Sequence, residues 1–177
     1  MILGAVLAGG QSSRFGSDKA LADLGGQTLL ARAVQSLEVQ CDAVVVIGRE
    51  VAPAPVLPDW PRPGMGPLGG IAAALRHAQA AGYHAVMTCA VDSVGLGTDA
   101  REQLSPPPSY CASQPVIGLW PAAAASEVEA IITGDGKHSM FAFAQAIGAR
   151  AVQLSSIPAN INTPADLRAA EERNHGL

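Results

Sequence analysis

The chain reads as an α/β protein built on a mostly parallel sheet, and three observations predict this. Apolar runs without polar alternation recur at Ile2–Leu7, Ala43–Ile47 and Ala85–Ala90, as expected of strands covered on both faces. Stretches with helical spacing lie between them. Glycine-rich or acidic segments follow the strand ends, where sheets of this kind bind ligands.

The elements follow in order. The first strand runs into a Gly- and Ser-rich loop. Residues 28–39 carry Leu29, Leu30, Ala33, Val34 and Leu37 at helical spacing. The second strand ends at Gly48. Residues 51–66 are rich in proline and predict a surface loop. Pro67 suits the first position of a helix and Gly82 its C-terminal stop; between them Leu68, Ile71, Ala72, Leu75 and Ala78 form an apolar stripe. The third strand is followed at once by Asp92. After a short helix, Pro106, Pro107 and Pro108 break the chain. Residues 113–120 predict another strand, 127–133 and 140–147 helices, 151–154 a strand and 164–173 a closing helix.

With 177 residues the chain fits one domain over residues 1–177. Apolar residues make up 49% and aromatic ones 4%, which excludes a disordered or fibrous protein and predicts a core of Ala, Val, Leu and Ile. A net charge of −4 argues against a nucleic-acid or membrane partner, so any bound phosphate must be met by a few placed cations. Cys41, Cys89 and Cys111 are odd in number and show no CxxC pair, which speaks against a disulfide framework or a zinc cluster. No signal peptide or membrane span is evident, and the chain is expected to be cytoplasmic. His77, His84, His138 and His175 form no triad or metal spacing.

The loop Leu7-Ala8-Gly9-Gly10-Gln11-Ser12-Ser13-Arg14-Phe15-Gly16-Ser17-Asp18-Lys19 is the most informative segment. Gly9 and Gly10 let backbone N–H groups approach an anion. Ser12 and Ser13 add hydroxyl donors, and Arg14 and Lys19 add positive charge suited to a polyphosphate. An ordinary strand-to-helix turn with solvated charges is the competing reading. The spacing fits neither GxGxxG nor a P-loop. The later Gly134-Asp135-Gly136-Lys137-His138-Ser139 also fails the P-loop pattern, because Ile131 stands where its first glycine is needed. It reads as a turn whose Lys137 is a weaker phosphate candidate.

The LAGGxxxRxGxDK pattern resembles the signature loop of the molybdenum cofactor guanylyltransferases, a MobA-like branch of the nucleotidyltransferases. The similarity continues in order: Asp59 upstream of Gly66-Pro67-Leu68-Gly69-Gly70, then Val91-Asp92, Gln114-Pro115-Val116-Ile117-Gly118-Leu119-Trp120 and Asn160-Ile161-Asn162-Thr163-Pro164. The resemblance implies a Rossmann-like three-layer sandwich of the nucleotide-diphospho-sugar transferase type. It implies transfer of GMP from GTP to molybdenum-bearing molybdopterin, with release of pyrophosphate. Leu7, Ala8 and Gly9 would contact guanine and ribose, Gly10 to Arg14 would wrap the phosphates, and Lys19 would neutralise them. Asp59 would help hold the nucleoside, Asp92 would ligate Mg²⁺, and Asn160 and Asn162 would lie toward the pterin. Read from the residues alone, Asp59 is equally a plain loop acid, and the two asparagines equally turn formers. The implied partners are GTP, the pterin acceptor, cofactor-delivery proteins and molybdoenzyme chaperones.

Three positions depart from the family pattern. Ser93-Val94-Gly95 follows Asp92 where many relatives have an early proline. Phe15 stands at a frequent Met, and Ile47 stands where some relatives have an Asn. The Gly9-Gly10 pair and the GPLxG segment favour guanine over cytosine. A relative using CTP or a sugar phosphate, and a nucleotide-binding subunit without catalysis, are the alternatives.

Overall fold

The computed structural model describes residues 1–10 and 18–175. In chain order the strands and helices are β1 (Ile2–Leu7), β2 (Asp23–Leu24), β3 (Gln27–Thr28), α1 (Leu29–Glu38), β4 (Ala43–Ile47), β5 (Val56–Leu57), α2 (Pro67–Ala81), β6 (Ala85–Ala90), β7 (Ser93–Val94), α3 (Ala100–Leu104), β8 (Ser109–Cys111), β9 (Gln114–Pro121), α4 (Ala125–Thr133), α5 (Met140–Ala146), β10 (Arg150–Val152), β11 (Ala159–Asn160) and α6 (Pro164–His175). Seven strands form the central sheet in the order β10-β8-β9-β6-β1-β4-β5. All run parallel except β9, which is antiparallel to both of its neighbours.

The sheet is covered on both sides because its central strands are almost entirely apolar, with Thr88 of β6 the buried polar exception among β1, β4 and β6. Leu3 and Ala5 of β1, Val45 and Ile47 of β4 and Val86 of β6 pack with α2, α4 and Phe143 of α5. The alternate residues Val6, Val44, Val46, Met87 and Cys89 pack with α1, Leu104 of α3 and Ala170 of α6. This is the expected three-layer sandwich. Each fully buried Leu or Val contributes about 1.5–3 kcal/mol.

Local chemistry sets the helix ends. Thr28 caps α1 by accepting a hydrogen bond from Ala31 N–H at 3.0 Å. Pro67 opens α2, and Gly82 ends it with φ +85°. The stripe predicted for α2 is fully buried. Trp120 is core rather than a surface platform: its Nε1 donates to Thr88 Oγ1 at 2.9 Å, and Thr88 donates to the Val116 carbonyl at 2.6 Å. The indole lies over Gly118, where any Cβ would overlap it.

The structure differs from the sequence reading in places. The 51–66 segment is not all loop, because Val56–Leu57 adds an edge strand beside β4. The β2–β3 hairpin turns on Gly25 and Gly26, both at positive φ. Neither this hairpin nor β8 is long enough to leave a periodicity. β9 starts at Gln114 and α4 at Ala125, each a residue or two from the predicted start. Among the described residues, no helix is long and apolar enough to cross a membrane.

Candidate active site at the carboxyl edge of the sheet

β1, β4 and β6 lie side by side and point the same way, so the segments that follow them emerge together. β1 leads to Gly9 and Gly10, β4 to Gly48 and Arg49, and β6 to Asp92. A cavity of about 490 Å³ opens there, a size that suits a nucleotide-scale ligand. Leu7, Gly9 and Gly10 line it on one side, with Asp59, Pro67 and Gly70 beside them. Asp92, Ser93, Gln114 and Asn160 line it on the β6 side.

Glycines make this convergence possible. A Cβ on Gly48 would lie 2.7 Å from Gly9 Cα and 3.2 Å from Asp59 Oδ2, and Gly48 has φ +89°. A Cβ on Gly9 would lie 3.1 Å from the same carboxylate oxygen, and one on Gly70 2.8 Å from Leu7 Cδ2. The turn after β1, the end of β4 and the start of α2 therefore close around the Asp59 side chain. The Asp59 loop is held from behind: Trp60 N–H donates to the Gly69 carbonyl at 3.1 Å. The Trp60 ring lies under the Arg76 guanidinium at 4.8 Å, and Arg76 is paired with Glu129 at 2.7 Å. Burial pushes the Asp59 carboxyl above its ordinary range.

On the other wall, Asp92 follows β6 and its carbonyl accepts a hydrogen bond from Ile161 N–H at 2.9 Å. Lys19 Nζ lies 3.0 Å from Asp92 Oδ2, and the two side chains are only 17% and 19% exposed. Ser93–Val94 forms β7 and pairs with β11. Ser93 Oγ donates to Gln114 Oε1 at 3.0 Å, and Gln114 Nε2 donates to the Pro158 carbonyl at 2.6 Å. The start of β9, β7 and the entry to β11 are thus tied into one wall.

Of the residues singled out from the sequence, Leu7, Gly9, Gly10, Asp59, Asp92 and Asn160 line the cavity, and Lys19 meets it through Asp92. Ala8 does not line it; it is buried and its N–H donates to the Ile47 carbonyl at 2.9 Å. Asn162 does not line it either. Its N–H and that of Thr163 donate to Asp166 Oδ2, both at 2.9 Å, while Asp166 N–H donates to Thr163 Oγ1. This reciprocal cap starts α6, so the second half of the asparagine motif is turn chemistry. Ser12, Ser13 and Arg14 lie outside the described residues. Lys137 is exposed in its turn and absent from the cavity lining. His84 Nδ1 sits 2.8 Å from the Met1 amino group, beside the starts of β1 and β6 and so at the opposite edge of the sheet.

Ser113 and Arg49 are site or near-site residues that the sequence reading passed over, and Ser93 enters it only as a departure after Asp92. Arg49 follows a parallel strand, a placement that could have flagged it. Ser93 carried no signal beyond its adjacency to Asp92.

The arrangement has clear chemical capacity. Backbone at Gly9 and Gly10 is open to an anion, Lys19 supplies a cation, and Asp59 offers a partly desolvated carboxylate to donor groups. Asp92 offers a second carboxylate on the facing wall. No group of three or more His, Cys, Asp or Glu stands ready to enclose a metal ion among the described residues.

Known proteins share both the sequence and this architecture. A molybdenum cofactor guanylyltransferase from Acidiphilium cryptum (strain JF-5) is 37% identical over 181 residues, covering 94% of this chain and 92% of that one. One from Rhodobacter capsulatus is 37% identical over 186 residues, covering 97% and 96%. The crystal structure of molybdopterin-guanine dinucleotide biosynthesis protein A from Archaeoglobus fulgidus superposes with a TM-score of 0.73 at 22% identity, over all of both chains. A model of the MobA-like NTP transferase domain matches residues 4–149. That match runs from the first strand past α5, through every segment that builds the cavity except β11. The chain therefore belongs to the MobA-like NTP transferase family and is a nucleotidyltransferase.

Proposed function

We propose that this enzyme transfers GMP from GTP to molybdenum-bearing molybdopterin, making the guanine dinucleotide form of the cofactor. One observation carries the reading: a single cavity has Gly9, Gly10 and Asp59 on one wall and Asp92, paired with Lys19, on the other. The Gly9, Gly10 and Asp59 side suits the guanine nucleoside, and the Asp92–Lys19 pair suits the phosphates at which donor and acceptor meet. The names of the Acidiphilium and Rhodobacter relatives agree with it.

In this mechanism an oxygen of the acceptor phosphate attacks the α-phosphorus of GTP. The bond from that phosphorus to the β-phosphate bridging oxygen breaks, and pyrophosphate leaves with the bonding pair. The protein's contribution is positioning and charge neutralisation. Gly9 and Gly10 hold the triphosphate by backbone N–H groups, with Ser12, Ser13 and Arg14 continuing that wrap. Lys19 exchanges Asp92 for phosphate oxygens. Leu7 and Gly9 lie against base and ribose, with Ala8 anchoring that segment from behind through its N–H on the Ile47 carbonyl; Asp59 accepts from guanine N–H donors, and Ile47 leaves that wall apolar. Asn160, beside Gln114, faces the acceptor. Asn162 supports it from the turn before α6.

Family members use a divalent metal, and Asp92 fits one. Magnesium is commonly held by one or two carboxylates together with substrate phosphates rather than by an all-protein cage. Asp92 lines the cavity and, among the described residues, belongs to no group of three or more ligating side chains of the kind a self-sufficient site needs. Asp92 would hold Mg²⁺, which would supply positive charge to offset the negative charge that develops in transfer. Cofactor-delivery proteins, molybdoenzyme chaperones and a cytoplasmic location complete the proposal.

The decisive assay is pyrophosphate release from ATP, CTP, GTP and UTP with Mg²⁺, with and without molybdopterin. GTP-selective, acceptor-dependent release is expected. CTP selectivity, or GTP binding without turnover, would sink the reading.

Asp59 supplies a second check through pH. Its folded-state pKa is raised by burial, so its contribution to stability is present below the ordinary carboxylate pKa and lost as pH rises through the raised value. At neutral pH the ionised side chain therefore weakens the ligand-free fold. Asp59→Asn is expected to raise the melting temperature at pH 7, with the gain disappearing below about pH 4. The same variant should raise KM for GTP about tenfold or more, since hydrogen bonds to a charged group contribute roughly 1.5–3 kcal/mol. Melting curves at two pH values and GTP kinetics test both halves; unchanged KM removes Asp59 from the nucleotide contact.

A further inference from the structure

Asp18 and Lys19 are neighbours in sequence, but their side chains are pinned to different strands. Lys19 reaches Asp92 beyond β6. Asp18 reaches Arg49 beyond β4, with Nη1 3.0 Å from Oδ1 and Nη2 2.8 Å from Oδ2. In the sheet, β1 lies between β4 and β6. The far end of the loop that leaves β1 is therefore held across both neighbours of its own strand.

The pair also shapes the backbone from which Lys19 projects. Asp18 Oδ1 accepts from Ala20 N–H at 3.3 Å and caps the single 3₁₀ turn Lys19–Leu21. Arg49 thus holds a carboxylate that holds that turn. The two-pronged contact fixes orientation as well as distance, which a single ammonium contact would not. The guanidinium lowers the Asp18 pKa, so the grip persists under mildly acidic conditions.

Stability alone is a poor account of this pair. Arg49 is 20% exposed and Asp18 46%, and ion pairs with access to water contribute roughly 0–1 kcal/mol. Arg49 Nε is buried with no hydrogen-bond partner among the described residues, which works against folding. The arrangement favours a fixed geometry over a low energy.

We propose that Asp18 and Arg49 are positioning residues for Lys19, a fork that sets where the lysine ammonium meets the triphosphate. This rests on the phosphate role proposed for Lys19. Neither residue touches substrate; both act through the turn that carries Lys19.

The test is a double-variant cycle on the full enzyme with GTP, Mg²⁺ and molybdopterin. Arg49→Ala is expected to lower kcat about ten- to a hundredfold, the scale of a small misplacement of a catalytic group, and to move KM for GTP much less. Arg49→Lys keeps the charge without the fork and should not restore the rate, whereas added guanidinium ion should restore part of it to Arg49→Ala. In a Lys19→Ala background, Arg49→Ala should cost less than about a further twofold, because its effect passes through the missing lysine. An equal fold-loss in both backgrounds, or an unchanged kcat in Arg49→Ala, overturns the proposal. If Lys19→Ala itself leaves kcat unchanged, the phosphate role of Lys19 fails, and this proposal with it. Should Arg49→Ala not fold, Asp18→Asn, which keeps the side-chain shape, decides the matter by the same cycle.

Discussion

Asp92→Asn is expected to reduce Mg²⁺-dependent transfer about a thousandfold or more while leaving the fold in place. Among the described residues Asp92 belongs to no cluster of three or more metal-ligating side chains, so its loss is not made good by a ready-made ligand set. Electrophilic stabilisation by a metal is worth several kcal/mol, and each 1.4 kcal/mol is tenfold in rate. The backbone at residue 92 is held independently of the side chain, by Ile161 N–H on its carbonyl. Asn keeps the shape of Asp, and the lost ion pair with Lys19 retains contact with water. Its stability loss should be nearer about 1 kcal/mol than the 3–5 kcal/mol of a fully buried pair. Pyrophosphate release against Mg²⁺ concentration, with thermal unfolding beside it, checks both statements. Wild-type kcat in this variant would remove Asp92 from the metal role.

Lys19→Ala should lower kcat roughly a hundredfold, the loss seen when one preorganised charge donor is removed from a transition state. KM for GTP should change less, because the interaction strengthens as charge develops. The ion pair adds a readout outside catalysis. With no nucleotide present, Lys19 competes with a metal ion for Asp92, so Lys19→Ala should bind Mn²⁺, used as a paramagnetic probe, more tightly than wild type. A lysine that merely solvates the loop would change neither quantity. Tighter metal binding with an unchanged rate would make Lys19 a guard of Asp92 rather than a phosphate ligand.

The two carboxylates have different surroundings, and this explains why they are suited to different tasks. Asp59 is enclosed by the backbones of Gly9 and Gly48 and backed by Gly70. That setting suits the recognition of fixed N–H donors. Asp92 meets a lysine ammonium at 3.0 Å with both side chains still in contact with water, a setting that suits the exchange of partners proposed for it.

The sequence by itself determined the alternation of elements and the edge of the sheet at which the cavity opens. Parallel strands covered on both faces are almost wholly apolar, and the glycines after β1 and at the start of α2 are where close contacts leave no room for a Cβ; both leave marks in the order of residues. The ends of α2 were legible for the same local reason, through Pro67 and Gly82. Asp59 and Asp92 were legible because of where they follow or precede such marks.

Other features depend on contacts between residues far apart in sequence, and only the tertiary structure decided them. The reversed direction of β9 follows from its pairing with both β6 and β8, since an apolar run looks the same in either direction. Val56–Leu57 becomes a strand only because β4 offers it an edge. Asn160 lines the cavity while Asn162 sits in the capped turn that starts α6, though the two belong to one motif. Arg49 meets Asp18 across 31 residues, and Gln114 meets Ser93 across 21. A polar side chain finds its partner through the fold, and its own neighbours in sequence do not record which partner that is.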